Sequence, residues 1–209
     1  LRETGKLTPD VSVDFLGRLI TRHNDTIILS MQDTFINTIL SELSMEKCKP
    51  AVTPGTDTLK RQDASLDEYI GVEQHKLYRI MVGKLLWLAN IRSDIMHAVK
   101  ELSRNLQSPT SASRASLKHL LRYLAGTRIV HETLRPNSML SRSNDVVDVV
   151  TFVDSDWAGC RSTRKSSSGV VVQILGATLV GISRTQQTIA LSSGEAELYA
   201  IGLGVSESL

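Results

Sequence analysis

The chain has 209 residues, of which 41% are hydrophobic and 22% are charged, as expected for one large or two small globular domains. Its net charge of +2 is too small to indicate a nucleic-acid-binding protein by itself, so such evidence must come from where the basic residues lie. The two cysteines form no CxxC pair, which argues against a zinc ribbon or a disulfide framework, and no apolar run approaches the roughly 18 residues of a membrane span.

The first 46 residues predict a β-hairpin followed by a helix. Residues 11–20 and 26–29 have the composition of strands, and the polar residues between them can form the turn. Ser30 can cap the following helix, whose apolar residues recur at helical spacing up to Leu43.

The middle of the chain predicts a linker and then an all-helical unit. Prolines, a glycine and the lack of any apolar period indicate an exposed linker over 47–70. Apolar residues then recur at i, i+3 and i+4, as in helices that bury one face. The predicted unit covers 71–128, with one helix over 75–90, a second capped by Ser93, and a third over 113–125 that ends before Gly126.

The last part of the chain predicts an α/β unit over 146–209, after a second irregular segment over 130–145. Three strands are expected over 146–153, 170–175 and 178–183, and a helix from Ser192 or Ser193 to the end. The apolar run of the first strand indicates a central strand covered on both faces. The apolar face of the helix is expected to consist of Leu198, Ile201, Val205 and Leu209.

Two separate acidic positions are candidates for chemistry. Asp154 follows the apolar run of the first strand and could point toward a ligand, although a plain turn explains the same residues. Ser192 and Glu195 have the spacing of a capping box, which assigns Glu195 a structural role and leaves Glu197 as the second candidate. Carboxylates from two elements could hold Mg²⁺ for phosphodiester cleavage, but Glu197 could equally be a solvated surface residue.

Basic residues form two candidate nucleic-acid contacts. The first is a stripe at i, i+4 and i+8 of one helix, consisting of Arg114, Lys118 and Arg122. The second is a basic, hydroxyl-rich patch that consists of Arg164, Lys165, Ser166, Ser167 and Ser168. A solvated helix face and a turn are the respective alternatives. With 4% aromatic residues, a base-stacking platform is not expected.

The first two thirds of the chain resemble the reverse transcriptase of copia-type retrotransposon Pol polyproteins. Residues 14–17 (DFLG) and 28–32 (ILSMQ) resemble its primer-grip hairpin. Residues 78–88 (YRIMVGKLLWL) and 92–95 (RSDI) are similar to the family's YRxxVGxLLYL and RPDI, and residues 120–127 (LLRYLAGT) to its LRYLKGT. The resemblance implies primer-grip-like residues at Phe15, Leu16 and Gly17.

The remainder resembles the same family's ribonuclease H. Residues 153–159 (VDSDWAG), 164–169 (RKSSSG) and 190–197 (ALSSGEAE) are similar to DADWAG, RRSTSG and ALSSTEAE. By this resemblance, Asp154 and Glu197 are the catalytic metal ligands of a two-ion Mg²⁺ site in the complete parent.

The resemblance also implies an architecture and partners. The expected fold is α+β or α/β, with a palm-end hairpin, a thumb- or connection-like helical region and a truncated, mixed ribonuclease H-like sheet with one helix. The implied partners are an RNA–DNA hybrid or template-primer and the rest of the polyprotein, in a cytoplasmic particle and the nucleus, with no membrane. Further catalytic carboxylates of the family would lie before Leu1 and after Leu209, so we expect the chain alone to be inactive. The alternative is a non-enzymatic relic or a repurposed nucleic-acid-binding or structural fragment.

Overall fold

Two antiparallel sheets and five α-helices make up the part of the chain that the computed structural model describes, which is residues 8–15, 17–24, 26–55, 68–135, 148–160, 162–174 and 177–209. The expected combination of helices and sheets is therefore confirmed. None of the described helices is both long and apolar enough to cross a membrane.

The N-terminal sheet has four strands where the sequence predicts two. Its strands, in sheet order, are β1 (Ser12–Phe15), β2 (Arg18–His23), β3 (Thr26–Met31) and β4 (Glu132–Leu134). The predicted strand over 11–20 is wrong because it breaks at Gly17, whose φ of +74° suits a turn, and whose amide donates to Asp14 Oδ1 at 3.1 Å.

Strand β4 corrects the predicted irregular segment over 130–145. Its three residues pair with β3, in the register Ile27 to Leu134 and Leu29 to Glu132. So short a strand has no apolar period of its own, and its partner lies about a hundred residues away in the sequence, so the pattern could not reveal it. Residues 136–147 lie outside the described part of the chain.

Four helices form the larger core. They are α1 (Asp33–Ser41), α2 (Val72–Leu88), α3 (Met96–Ser103), which follows a 3₁₀ turn at Ser93–Ile95, and α4 (Ser111–Gly126). Their predicted apolar stripes are buried, with Ile39, Leu85, Val99 and Leu121 fully enclosed. Burial of this apolar surface stabilises the unit by roughly 25 cal/mol per Å² removed from water.

Several predicted helix ends are wrong by a few residues. Ser30 lies in β3 rather than at the start of α1, which follows Gln32. Helix α4 begins earlier than predicted because Thr110 caps it, accepting from the amide of Ser113 at 3.3 Å. Gly126 is the last residue of α4 rather than the residue after it, and a Cβ there would lie 2.9 Å from Pro50 Cβ.

A buried arginine joins the end of α2 to the end of α4. Arg92 is 2% exposed, and its Nε and Nη2 donate to the two carboxylate oxygens of Asp94 at 2.8 and 2.7 Å. Its Nη1 and Nη2 also donate to the carbonyl and hydroxyl oxygens of Thr127 at 2.8 and 2.9 Å. The Tyr123 hydroxyl donates to Asp94 at 2.8 Å, and its ring lies 5.9 Å from the guanidinium.

The electrostatics of this cluster favour the charged carboxylate. Burial raises the pKa of Asp94, but hydrogen bonds from Arg92 and Tyr123 and the charge of Arg92 outweigh burial, so the pKa lies below its usual value. A lowered pKa in the folded state means that the ion pair stabilises the fold above the unfolded-state pKa of about 3.9. That contribution is lost as the pH falls through the folded-state pKa.

Asp94→Ala tests this cluster. The substitution leaves the buried Arg92 charge without its partner, and we expect the free energy of unfolding to fall by about 3 kcal/mol at pH 7. The difference from the unchanged chain should shrink as the pH falls through the lowered pKa of Asp94, because the carboxylate then becomes protonated in the folded state. Urea denaturation across pH measures both. The control is Glu46→Ala, which removes an exposed carboxylate with no described partner and should change stability by less than about 0.5 kcal/mol. Equal losses in the two variants would contradict the assignment.

The C-terminal unit is a three-stranded antiparallel sheet with a helix packed on one face. Its elements are β5 (Val149–Asp156), β6 (Ser167–Ile174), β7 (Ala177–Thr185) and α5 (Ser193–Ser208). The sheet order β5-β6-β7 makes β6 central and β5 an edge within the described residues, so the prediction of a central first strand is wrong. Phe152 of β5 is 56% exposed, and all described strand pairs are antiparallel rather than mixed.

Helix α5 packs through small residues rather than through its large apolar ones. Ala196, Ala200 and Gly204 are buried against the sheet. The predicted apolar face is instead exposed, from 48% at Ile201 to 104% at Leu209, and includes Leu198 and Val205. A helix with small residues on one face can approach a sheet more closely, and a Cβ on Gly204 would lie 2.4 Å from Val153 Cγ1.

Two glycines of α5 provide a matched test of this contact. Gly204→Ala forces a methyl group into the stiff Val153 side chain, and we expect a loss of about 1–3 kcal/mol in the free energy of unfolding. Gly202→Ala meets no atom within 4 Å and should stabilise by up to about 1 kcal/mol through helix propensity. Thermal and urea unfolding measure both, and stabilisation by Gly204→Ala would contradict the packing.

Candidate functional site

The two faces of the C-terminal sheet carry different neighbours. Val153 pairs with Val170, and this face is covered by α5, because a Cβ on Gly204 would meet both Val153 and Thr151. Directly opposite residues share a face, so the face of Asp154 also carries Gly169 and, on β7, Ser183.

That second face meets the helical unit. A Cβ on Gly181 would lie 3.5 Å from Ser93 Cβ and 3.8 Å from Met96 Cε. Gly181 pairs with Val171, which pairs with Phe152, two residues before Asp154 on the same face. Asp154 therefore faces the side of the sheet that carries α3, whereas Glu197 belongs to the helix on the other side.

Asp154 and Glu197 nevertheless lie toward the same end of the sheet. Helix α5 runs antiparallel to β5, because its C-terminal Ser208 lies 2.5 Å from Thr151 through their hydroxyl oxygens. Past the end of β5, Trp157 Nε1 donates to the carbonyl oxygen of Ala190 at 3.2 Å, just before α5 begins. The two carboxylates can therefore approach each other only around the end of β5.

Neither carboxylate is engaged by another residue of the described part of the chain. Within the described part of the chain, the side chains of the exposed Asp154 and the partly buried Glu197 make no hydrogen bond or ion pair. The described residues also contain no group of three or more His, Cys, Asp or Glu residues placed to hold a metal ion.

Glu195 has the structural role that its spacing predicts, with one difference. Its amide donates to Ser192 Oγ at 3.1 Å, which caps α5. Its carboxylate accepts from the amide of Leu191 at 2.7 Å and from the hydroxyl of Tyr199 at 3.1 Å. The return bond thus goes to the residue before the cap rather than to the cap itself, and both carboxylate oxygens of Glu195 already accept a hydrogen bond.

The serines of the second basic patch are buried. Ser166 is 0% and Ser168 is 2% exposed. Ser166 Oγ accepts from the amide of Ala158 at 3.0 Å, and Ser168 Oγ accepts from Gln186 Nε2 at 3.0 Å. Ser167 is 5% exposed and contacts Lys100. These hydroxyls hold the sheet together and are not available to a phosphate in this structure.

The cations next to these serines are more accessible. Arg164 is exposed, with a φ of +56°, and Lys165 is partly buried. The loop that carries them is closed by two backbone bonds, from Arg164 to Cys160 at 2.7 Å and from Cys160 to Lys165 at 3.1 Å. Arg161 lies outside the described residues.

The basic stripe on α4 is partly covered by the predicted linker. Arg122 Nε donates to the carbonyl oxygen of Lys49 at 2.7 Å, and the amide of Ala51 donates to the carbonyl oxygen of Arg122 at 3.2 Å. The described start of the linker therefore packs along α4. Lys118 is exposed and Arg114 partly buried, so only these two stripe residues keep side chains without a described partner.

The primer-grip-like turn lies against α2. Phe15 is 51% exposed, and Leu16 lies outside the described residues. A Cβ on Gly17 would lie 3.3 Å from Trp87, whose ring is 5.0 Å from the ring of Phe35. The turn at Gly17 thus packs against the Trp87 side chain of the helical unit.

Gln186 is a residue that the sequence analysis missed. It is 7% exposed. Its backbone N–H donates to the carbonyl oxygen of Ser166 at 2.9 Å, and its side-chain Nε2 donates to the carbonyl oxygen of Ala196 at 2.8 Å. It therefore ties the first turn of α5, next to Glu197, to the sheet. Gln186 is one of two consecutive glutamines before an apolar segment, and no sequence pattern distinguishes it or predicts this role.

The two glutamates of α5 can be separated by their effects on stability. Glu195→Ala removes the bond to Leu191, and we expect a loss of about 1 kcal/mol in the free energy of unfolding. Glu197→Ala removes no described contact and should change stability by less than about 0.5 kcal/mol. Urea denaturation of both variants measures the difference. A larger loss for Glu197→Ala would show that Glu197, and not Glu195, has the structural role.

Comparison with known proteins finds relatives that cover most of this chain. No family model and no solved structure matches the chain. An uncharacterized mitochondrial protein of Arabidopsis thaliana is 35% identical over 194 residues, which cover 92% of this chain and 75% of that protein. The retrovirus-related Pol polyprotein from transposon RE1 of the same plant is 32% identical over 196 residues, and that from transposon TNT 1-94 of Nicotiana tabacum is 30% identical over 190 residues.

The matched regions are small parts of the polyproteins. The chain spans 12% of the RE1 polyprotein and 14% of the TNT 1-94 polyprotein. The chain therefore belongs to the copia-type retrotransposon Pol polyprotein family.

Proposed function

We propose that this chain is the part of a Pol polyprotein that joins the end of a reverse transcriptase to a ribonuclease H-like unit, and that it binds an RNA–DNA hybrid or template-primer. In this proposal Asp154 and Glu197 are Mg²⁺ ligands. When bound, Mg²⁺ would activate water and stabilise the leaving oxygen during hydrolysis of the RNA strand in the complete parent. The observation that carries the proposal is that both carboxylates lie toward one end of the sheet and are engaged by no described group.

The residues fit hard-metal binding by their chemistry. Carboxylate oxygens suit Mg²⁺, which completes its shell with water and phosphate oxygens. Glu195, by contrast, already accepts two hydrogen bonds and has less capacity for a metal. The tether from Gln186 to the first turn of α5 would keep Glu197 at the end of β5 that carries Asp154.

A second candidate function is a nucleic-acid-binding or structural fragment without catalysis. It is favoured by the placement of Asp154 and Glu197 on opposite sides of the sheet, because two such carboxylates supply few metal ligands. In that case, hybrid binding would depend on the basic residues alone and would not respond to a divalent cation.

Hybrid binding with and without Mg²⁺ distinguishes the two. Fluorescence anisotropy with a labelled RNA–DNA hybrid should show tighter binding when Mg²⁺ is added to the unchanged chain at constant ionic strength. Asp154→Asn and Glu197→Gln should each remove most of that gain, because each loses a metal ligand.

Asp148→Asn provides the control, since it removes an exposed carboxylate at the other end of β5. It should retain the Mg²⁺ effect. If all four proteins respond equally to Mg²⁺, the metal assignment is wrong and the non-catalytic function is favoured.

A further inference from the structure

Two basic side chains, one on helix α3 and one at its end, contact the C-terminal sheet. Lys100 Nζ contacts Ser167 Oγ. Arg104, which ends α3, donates through Nη2 to Thr185 Oγ1 at 2.9 Å and to Ser167 Oγ at 3.5 Å. Glu101 lies between the two cations and accepts from Lys100 Nζ at 2.8 Å and from Arg104 Nε at 3.1 Å.

These contacts leave donors unused. An arginine has five N–H groups and a lysine three. Arg104 uses Nε and Nη2, and its Nη1 group has no partner among the described residues. The side chains of Arg104 and Lys100 are 23% and 12% exposed, and their heads are held by contacts on several sides.

The same cations lie beside the acidic end of β5. Ser167, which both cations contact, pairs directly with Asp156, and Asp154 is two residues away on the same face. Directly opposite Cβ atoms lie about 5 Å apart in an antiparallel sheet. In the loop beyond β5, burial raises the pKa of the Cys160 thiol, but hydrogen bonds from Ser162 and Thr163, with a smaller contribution from the charge of Arg104, lower it to about 7. One face therefore presents two carboxylates next to two positioned cations.

We propose that Lys100 and Arg104 bind a backbone phosphate of the hybrid at the end of β5, so that the helical unit and the C-terminal sheet form one binding surface. This inference rests on the proposed function, because it takes the hybrid as the ligand. The two cations offset the repulsion between phosphate and the carboxylates of Asp154 and Asp156. The pair on α3 thus supplies phosphate contacts that the buried serines of the predicted patch cannot.

The competing explanation is that Lys100 and Arg104 only fasten α3 to the sheet. The two explanations differ for Glu101→Gln. This substitution removes the one negative charge that is shared by both cations but retains an amide that can hydrogen-bond. A phosphate-binding role predicts several-fold tighter hybrid binding, whereas a fastening role predicts unchanged or weaker binding.

Hybrid affinity of the full chain as a function of salt provides the test. One lost phosphate contact lowers the slope of log affinity against log salt by roughly one, which is about eightfold in affinity at 0.1 M salt. We expect this change for Arg104→Gln. Arg79→Gln removes the same charge from an exposed position on α2 and should leave the slope unchanged. Circular dichroism checks that every variant is folded, and Arg104→Lys should recover part of the slope.

The outcomes separate the inference from the proposed function. If the unchanged chain binds no hybrid with or without Mg²⁺, both are wrong. If it binds but Arg104→Gln behaves like Arg79→Gln, or if Glu101→Gln weakens binding, only the role of α3 is wrong. A reduced salt slope for Arg104→Gln, together with tighter hybrid binding by Glu101→Gln, supports one binding surface formed by the helical unit and the C-terminal sheet.

Discussion

The structure depends on one buried charge, the guanidinium of Arg92. An arginine that is 2% exposed is costly to bury unless its donors are satisfied, and here Asp94 and Thr127 accept from all three nitrogens. These bonds fix the 3₁₀ turn that begins at Ser93 and thereby the start of α3. Ser93 and Met96 lie close to Gly181, so the arginine cluster positions one of the contacts between the helical unit and the C-terminal sheet.

The motifs that reveal the family therefore divide into two kinds. Arg92, Asp94, Tyr123 and Thr127 belong to the most recognisable segments, yet they bond to one another and have no capacity left for a ligand. Such a cluster must retain all its members together, because a buried charge without its partner is strongly destabilising. Asp154 and Glu197 differ, since no described group of the protein engages them. Unused polar groups in a recognisable motif indicate function, and fully satisfied ones indicate architecture.

The two faces of the C-terminal sheet pack against different helices. One face packs closely against the small residues of α5, and the other meets α3 through Gly181 and through the cations at Ser167. Strand alternation places Asp154 on the α3 side, which is why residues from the helical unit are relevant to any chemistry at the end of β5. On the outer side of α5, Leu198 and Ile201 stay 66% and 48% exposed, so these large apolar residues contribute less to the packing of the helix on the sheet than the small ones do.

Local pattern was enough to determine much of this protein. The helices of the core follow from apolar residues at helical spacing, the start of α5 from Ser192, and the structural role of Glu195 from its position three residues later. These features depend on neighbours within one or two turns, so the sequence alone contains the physical cause. The family resemblance rests on the same kind of local information.

Tertiary structure decided what depends on distant partners. Strand β4 exists because β3 pairs with it, and β5 is an edge within the described sheet although its apolar run suggested a central strand. The face of α5 that packs is the one where Gly204 allows close approach, not the more hydrophobic one. Which cations lie near Asp154 was equally invisible, because Lys100 and Arg104 reach Ser167 across more than sixty positions of sequence. Periodicity indicates which side chains can be buried, but only the tertiary structure determines which other residues they pack against.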